Sequence, residues 1–283
     1  MKQRIITALV LAPLAIAAIF LLPLKFFMLF AAVIFLLASK EWAGFVSKKP
    51  SSLTLYLFGL ILGGSLLAMP VASIWFDNVL NDLLVSVLSV AAVWWCVALL
   101  LVLRYPVSAT LWRASTAIKS LFGLLTLIPF FWGLVVLRSV NMEVDFYFGA
   151  ELLMYVFLLV WAADSGAYFV GKQFGKHKLA PNVSPGKTIE GFFGGLVSAL
   201  IIAYLASYYF DITAEDLTIF FVASLITTLA SALGDLTESI FKREAGLKDS
   251  SNLLPGHGGI LDRIDSLTAA VPVFTLIYIY WLV

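Results

Sequence analysis

Residues 216 to 265 read DLTIFFVASLITTLASALGDLTESIFKREAGLKDSSNLLPGHGGILDRID. From Leu217 to Gly234 no residue is charged, and this apolar run is long enough to predict a membrane-crossing helix. The segment that follows, Ser239 to Asp265, then packs four acids, four bases and one histidine into 27 residues. Beyond it the chain turns apolar again to residue 282. Charge beside hydrocarbon is costly, so a cluster held between two apolar spans marks a place of chemistry.

The whole chain is built on that pattern. Of 283 residues, 62% are hydrophobic and 12% charged, and the mean hydropathy is +1.02. A soluble globular domain is far less apolar, and an integral membrane protein is the class this implies. Lys2, Arg4 and the apolar run after them resemble a signal peptide. No small-residue cleavage site precedes a polar domain, however, and further apolar spans follow at once, so the run is expected to stay as a first membrane helix. Cys96 is the only cysteine, which excludes a disulfide within one chain.

With roughly 20 apolar residues needed per crossing, nine spans are expected: 5–22, 25–39, 53–75, 79–103, 120–137, 152–170, 192–210, 216–234 and 264–282. The second is short, which leaves a tight hairpin or a partly re-entrant pair open. Basic loops are retained in the cytoplasm. If the N-terminus is cytoplasmic, only Lys25 and Arg138 of the 18 bases fall on the other side, leaving 16 inside, and the C-terminus is extracytoplasmic. The fold class expected is therefore an all-α polytopic membrane protein, a single domain over 1–283 without a linker. Residues 1–150 carry almost no polar group within a span and read as scaffold and lipid contact. Residues 151–283 hold nearly every candidate for chemistry, at the cytoplasmic ends of their helices. A bacterial cytoplasmic (inner) membrane is the expected location.

Two polar clusters make up the candidate site. If the eighth helix continues past the membrane face, Ser231, Asp235, Glu238, Ser239 and Lys242 share one side of it. Asp262 and Asp265 share the first turn of the ninth. Carboxylates converging from two helix ends suit a hard divalent cation such as Mg2+, which binds one or two carboxylates together with substrate phosphates. Acids at a helix start also simply favour the macrodipole, a reading that does not account for Asp235, near a helix C-terminal half. Lys242, Arg243 and Lys248 offer counter-charge to phosphates or to lipid headgroups. Asp249, Pro255 and the turn Gly256, His257, Gly258, Gly259 follow, and a glycine turn either cradles a phosphate or is only a turn. In the second cluster, Asp164 is an acid inside a span, flanked by Ala162, Ala163, Gly166 and Ala167, which allow close approach of a neighbouring helix. Ser184 before Pro185 predicts an N-cap with proline at the first helical position, Lys187 in the first turn and Glu190 beyond it. That arrangement would aim helix amides at an anion. Gly186, Lys187 and Thr188 do not make a P-loop, because position 181 is Pro181 where a glycine is required and an all-helical chain supplies no preceding strand. His177, between two lysines, reads as a solvated loop residue.

Ser239, Lys242-Arg243, Lys248-Asp249, Pro255, His257-Gly258-Gly259, Asp262-Arg263 and Asp265 together resemble the signature of the phosphatidate cytidylyltransferase (CDP-diacylglycerol synthase) family, without a departure. The likeness extends to the segment from Ser184 to Glu190. It implies transfer of a cytidylyl group from CTP to phosphatidic acid, giving CDP-diacylglycerol and pyrophosphate for phospholipid biosynthesis. By the same resemblance, Asp235 and Asp262 are metal ligands for Mg2+, with Asp265 beside them or on a second cation. Lys242, Arg243, Lys248 and Arg263 hold phosphates, and His257, Gly258 and Gly259 line the triphosphate. Asp164, Ser184, Lys187, Glu190 and Asp249 complete the pocket. The partners implied are CTP, phosphatidic acid and membrane lipid, in a homodimer, with no nucleic acid. A CDP-alcohol phosphotransferase would carry several aspartates in one compact helical motif, which is absent. A cation-coupled transporter would place its acids at the bilayer midplane, whereas these gather at one face.

Overall fold

The computed structural model describes residues 2–47, 52–76 and 79–281. Lys48 and Lys49, counted among the bases above, lie outside the described residues, as do Asp77 and the side chains of Lys2 and Arg4. Nine α-helices are present among the described residues: α1 Lys2–Leu21, α2 Leu24–Val46, α3 Ser52–Ala68, α4 Asp82–Leu103, α5 Thr116–Ser139, α6 Phe148–Phe174, α7 Ile189–Tyr209, α8 Leu217–Ala245 and α9 Leu261–Trp281. Helices are what lipid demands, since each backbone N–H and C=O is satisfied within its own segment. Seven of them, α2 and α4 to α9, are long and apolar enough to cross a membrane, while the apolar parts of α1 and α3 are shorter. The protein is an integral membrane protein.

Several boundaries differ from those expected. The second segment is no fragment: α2 spans 23 residues. The third span ends early, at Ala68, because Pro70 cannot continue the helix; a short 3-10 turn and a hairpin of β1 (Trp75–Phe76) with β2 (Val79–Leu80) replace its tail. The fourth therefore starts at Asp82, where Asn81 caps the helix by accepting from the Leu83 amide at 2.9 Å. A further hairpin, β3 (Lys178–Ala180) with β4 (Ser184–Thr188), overturns the expected N-cap at Ser184. Pro185 sits in β4, and α7 begins at Ile189 with Thr188 as its cap, accepting from Gly191 N at 3.1 Å. The strand contains Gly186 and Lys187 rather than preceding them, so the P-loop geometry is still absent.

The core lies around α5, whose residues from Pro129 through Ser139 are buried without interruption. A helix apolar on all sides belongs in the interior. By contrast α7 leaves Phe193, Val197, Ile201, Tyr204, Leu205 and Tyr208 exposed, as lipid contact requires. On its other side α7 meets α6 at backbone distance. A Cβ on Gly195 would stand 2.7 Å from the Ala163 carbonyl oxygen, and one on Gly191 2.7 Å from that of Ala167. This is the close approach that the small residues around Asp164 predicted. Adding a methyl at this seam pushes two backbones apart, at about 1–3 kcal/mol. Gly195→Ala should therefore lower the thermal unfolding temperature in detergent, while Gly64→Ala, whose Cβ meets nothing within 4 Å, should leave it unchanged.

Candidate active site

The ends of seven helices, α2 and α4 to α9, meet at one end of the bundle. Trp42 near the end of α2 donates from Nε1 to the Lys119 carbonyl at 2.9 Å, and Lys119 in turn donates from Nζ to the Phe45 carbonyl at 3.2 Å and to that of Val46. Past the end of α4, Tyr105 donates to Glu244 of α8 at 2.9 Å. Burial together with that carboxylate pushes the Tyr105 phenol up to about 12. The C-terminal end of α6, the start of α7, the end of α8 and the start of α9 complete the group by lining a cleft of about 620 Å³.

The expected polar face of α8 forms. The helix runs on to Ala245, and Gly246, in a left-handed conformation (φ 73°), closes it as its amide and that of Leu247 return to Arg243 and Lys242 carbonyls. Lys242 reaches Glu238 at 2.8 Å and Asp262 at 2.7 Å. The three side chains are 12%, 4% and 6% exposed, so this is a desolvated charge triad. Asp262 is further saturated by the loop before α9: its Oδ2 accepts from Ser250 N (2.8 Å), Ser250 Oγ (2.9 Å) and Gly259 N (2.8 Å). Asp235 faces Lys187 of β4 at 2.5 Å. Asp164 lines the cleft within electrostatic reach of Asp235, Lys187 and Arg263.

Asp164, Lys187, Asp235, Lys242, Asp249, Asp262, Arg263 and Asp265 thus share the cleft. Other expected residues are placed elsewhere. Glu190 accepts from the His177 and Lys176 amides and pairs with the His177 ring at 2.6 Å, holding the hairpin to α7, so His177 has a partner that its sequence context did not reveal. Arg243 donates Nε to the Val183 carbonyl at 3.1 Å and fixes the hairpin turn. Ser184 and Lys248 do not line the cleft. The glycines of the turn serve carboxylates. Gly259 gives its amide to Asp262, and a Cβ on it would meet the Glu41 carboxylate at 2.5 and 2.6 Å. His257 lines a second, mainly apolar cavity of about 410 Å³ between α1, α2, α5, α6 and the start of α9, and its buried Nδ1 has no hydrogen-bond partner among the described residues. Asp164, Asp262, Arg263 and Asp265 border both cavities.

Sequence reading passed over Glu41 and assigned Arg138 to a loop beyond its span; both are buried inside helices, two exceptions to the expectation that spans of the first half carry almost no polar group. Arg138, at the opposite end, donates to the carbonyls of Ile19 (2.6 Å) and Phe146 (3.3 Å). Ending the second span at residue 39 had left Glu41 outside it; an acid between Lys40 and Trp42 on an apolar helix was the available signal. Lys172 and Tyr168 also line the cleft.

A model of the cytidylyltransferase family matches residues 2–281. The chain belongs to that family. Among cytidylyltransferases it is 44% identical to a phosphatidate cytidylyltransferase of Haemophilus influenzae, covering 99% of both chains. The phosphatidate cytidylyltransferase of Pseudomonas aeruginosa is also 44% identical, over 97% of this chain and 95% of that one. That of Staphylococcus haemolyticus is 35% identical over 81% of this chain and 95% of its own.

Among the described residues no three His, Cys, Asp or Glu side chains form a metal cage. The oxygen donors facing the cleft nevertheless match Mg2+ in kind, which takes one or two carboxylates and completes its shell with water and phosphate. The Lys187 and Lys242 ammonium groups lie on Asp235 and Asp262. Removing one partner of a buried pair costs about 3–5 kcal/mol, since the other charge stays desolvated. Lys242→Met strands two carboxylates and should lower the thermal unfolding temperature measured in detergent; an unchanged transition would mean that the triad is not desolvated.

Proposed function

We propose that this protein transfers a cytidylyl group from CTP to phosphatidic acid, releasing pyrophosphate and forming CDP-diacylglycerol for phospholipid biosynthesis. The observation that carries the reading is the shared wall of two unlike cavities: Asp164, Asp262, Arg263 and Asp265 border a charged cleft on one side and an apolar cavity among helices on the other. A polar nucleotide and a lipid phosphate meet at such a wall without either crossing the membrane.

In the reaction a phosphate oxygen of the lipid attacks the α-phosphorus of CTP, and the bond from that phosphorus to the β-phosphate oxygen breaks as pyrophosphate leaves. Two anions must first be brought together, so positioning and electrostatics supply most of the acceleration. Lys172, Lys187, Lys242 and Arg263 are the cations at hand in the cleft, and Arg243 and Lys248, each next in sequence to a cleft residue, would add positive charge beside it. His257 faces the lipid side. Asp235 and Asp262 would hold Mg2+, with Asp265 beside them, and the ion would neutralise phosphate charge in the transition state. With the ion bound, Lys187 and Lys242 would be free to pair with phosphate oxygens in place of Asp235 and Asp262.

The proposal includes a cytoplasmic N-terminus, an extracytoplasmic C-terminus, nine crossings, a location in the bacterial inner membrane and a homodimer. Release of pyrophosphate that depends on both CTP and phosphatidic acid in detergent micelles is the direct assay; none from the purified folded protein would refute the activity. Asp235→Asn and Asp262→Asn should each abolish turnover across a magnesium titration. Asp235→Asn should do so with unaltered thermal unfolding, whereas Asp262→Asn should also cost stability, because Asp262 organises its loop. Sidedness follows from the partition of basic residues. Inverted vesicles should convert externally added CTP at once, and sealed right-side-out vesicles should do so only after permeabilisation; immediate conversion by sealed right-side-out vesicles with latency in inverted ones would reverse the orientation.

A further inference from the structure

Glu41 is 6% exposed at the end of α2, and among the described residues no basic side chain pairs with it. Its charge is met entirely by one distant loop. Oε1 accepts from Ser251 Oγ at 2.6 Å and from the Ile260 amide at 3.0 Å. Oε2 accepts from Ser250 Oγ at 3.0 Å and from the Leu261 amide at 2.7 Å. The four donors flank the turn from both sides, and the two amides are free N–H groups at the start of α9. The carboxylate thus closes the loop and caps the helix at its positive end.

Ser250 links this cap to the site. Its hydroxyl lies 3.0 Å from Glu41 Oε2 and 2.9 Å from Asp262 Oδ2, and its single proton serves one carboxylate at a time. Gly259 lies against the same junction, where any side chain would meet Ser250 Oγ and both Glu41 oxygens. The cap itself is held from behind. The next residue, Trp42, is anchored to Lys119 and packs on Phe241 of α8 with ring centroids 4.9 Å apart. Glu41 is therefore fixed relative to both helices that carry the charge triad.

We propose that Glu41 is a positioning residue for the cytidylyl transfer. Through Ser250 and the amides of residues 260 and 261 it sets the orientation of Asp262, and with it the first turn of α9 that separates the two cavities. The inference rests on the function proposed above. It also explains why an acid from the first half of the chain is buried beside the C-terminal loop.

The test compares wild type, Glu41→Gln, Glu41→Asp and Ser250→Ala in detergent. Glutamine keeps the shape but turns an amide toward donors, so the Ile260 or Leu261 amide loses its acceptor. Hydrogen exchange there should quicken about tenfold, the equivalent of one hydrogen bond. Loss of a group that orients a metal ligand costs about 10- to 100-fold in metal affinity or activity. For Glu41→Gln a fall in kcat of that order is expected, with a rise in the Mg2+ concentration giving half-maximal rate. Glu41→Asp should recover part of both. Ser250→Ala breaks the link to Asp262 and leaves the Glu41 carboxylate and both amide bonds, so it should raise the Mg2+ requirement without faster exchange at 260 and 261. Wild-type kcat and Mg2+ dependence per folded Glu41→Gln molecule would overturn the proposal. So would unaltered Mg2+ dependence in Ser250→Ala should the Gln variant fail to fold. Exchange needs no substrate, so inactivity of the wild type would refute the proposed function while leaving the exchange result readable.

Discussion

Charge next to hydrocarbon must be paired, and the charged end of this bundle is organised by that requirement. Lys242 is the pivot. Its ammonium joins Glu238, one turn earlier on α8, to Asp262 on the first turn of α9, so two antiparallel helices are clasped at the charged end of the bundle. None of the three is tolerable alone at such low exposure. Asp262 then takes three further donors from the loop that leads into it, and Glu41 accepts from the Ser250 and Ser251 hydroxyls and the Ile260 and Leu261 amides. Asp262 and Glu41, each held by several loop donors, thus replace the apolar packing that a charged loop cannot have.

Such saturation suits chemistry on phosphates. Lys242, paired with nearly buried carboxylates, is a cation already desolvated and already aimed, and on the proposed function a phosphate entering the cleft would pair with it instead of recruiting charge from solvent. Because little reorganisation is needed, electrostatic help is available when charge builds on the leaving group. On the same proposal, the apolar cavity behind the turn would place a lipid against that field.

The scaffold follows a different rule. Between helices in lipid there is no hydrophobic drive to association, and small residues or hydrogen bonds decide where helices touch. On α6 and α7 the glycines and alanines do this. On α8, Ser224, Thr227 and Thr228 return their hydroxyls to carbonyls one turn earlier, which satisfies them within the helix and frees that face to pack. Arg138, at the far end, donates from its guanidinium to carbonyls of α1 and of the turn before α6, tying the first helix into the bundle.

Membrane character, the helices and most of the cleft were legible in the sequence, because hydropathy, helical spacing and charge density are local properties. Asp164, Asp235, Lys242, Asp262 and Asp265 were recognisable as acids and bases out of place. Partners were not. That Glu190 holds a hairpin, that the glycines make room for carboxylates, that His257 faces the apolar cavity and that Ser184 begins a strand all depend on what another segment brings alongside. Glu41 is the clearest case: its four donors lie more than 200 residues away. The chain by itself determined which residues are costly to bury, since that cost belongs to each side chain. Only the tertiary structure decided which groups offset it, since pairing requires two groups within about 3 Å, a distance that no sequence spacing specifies across separate helices.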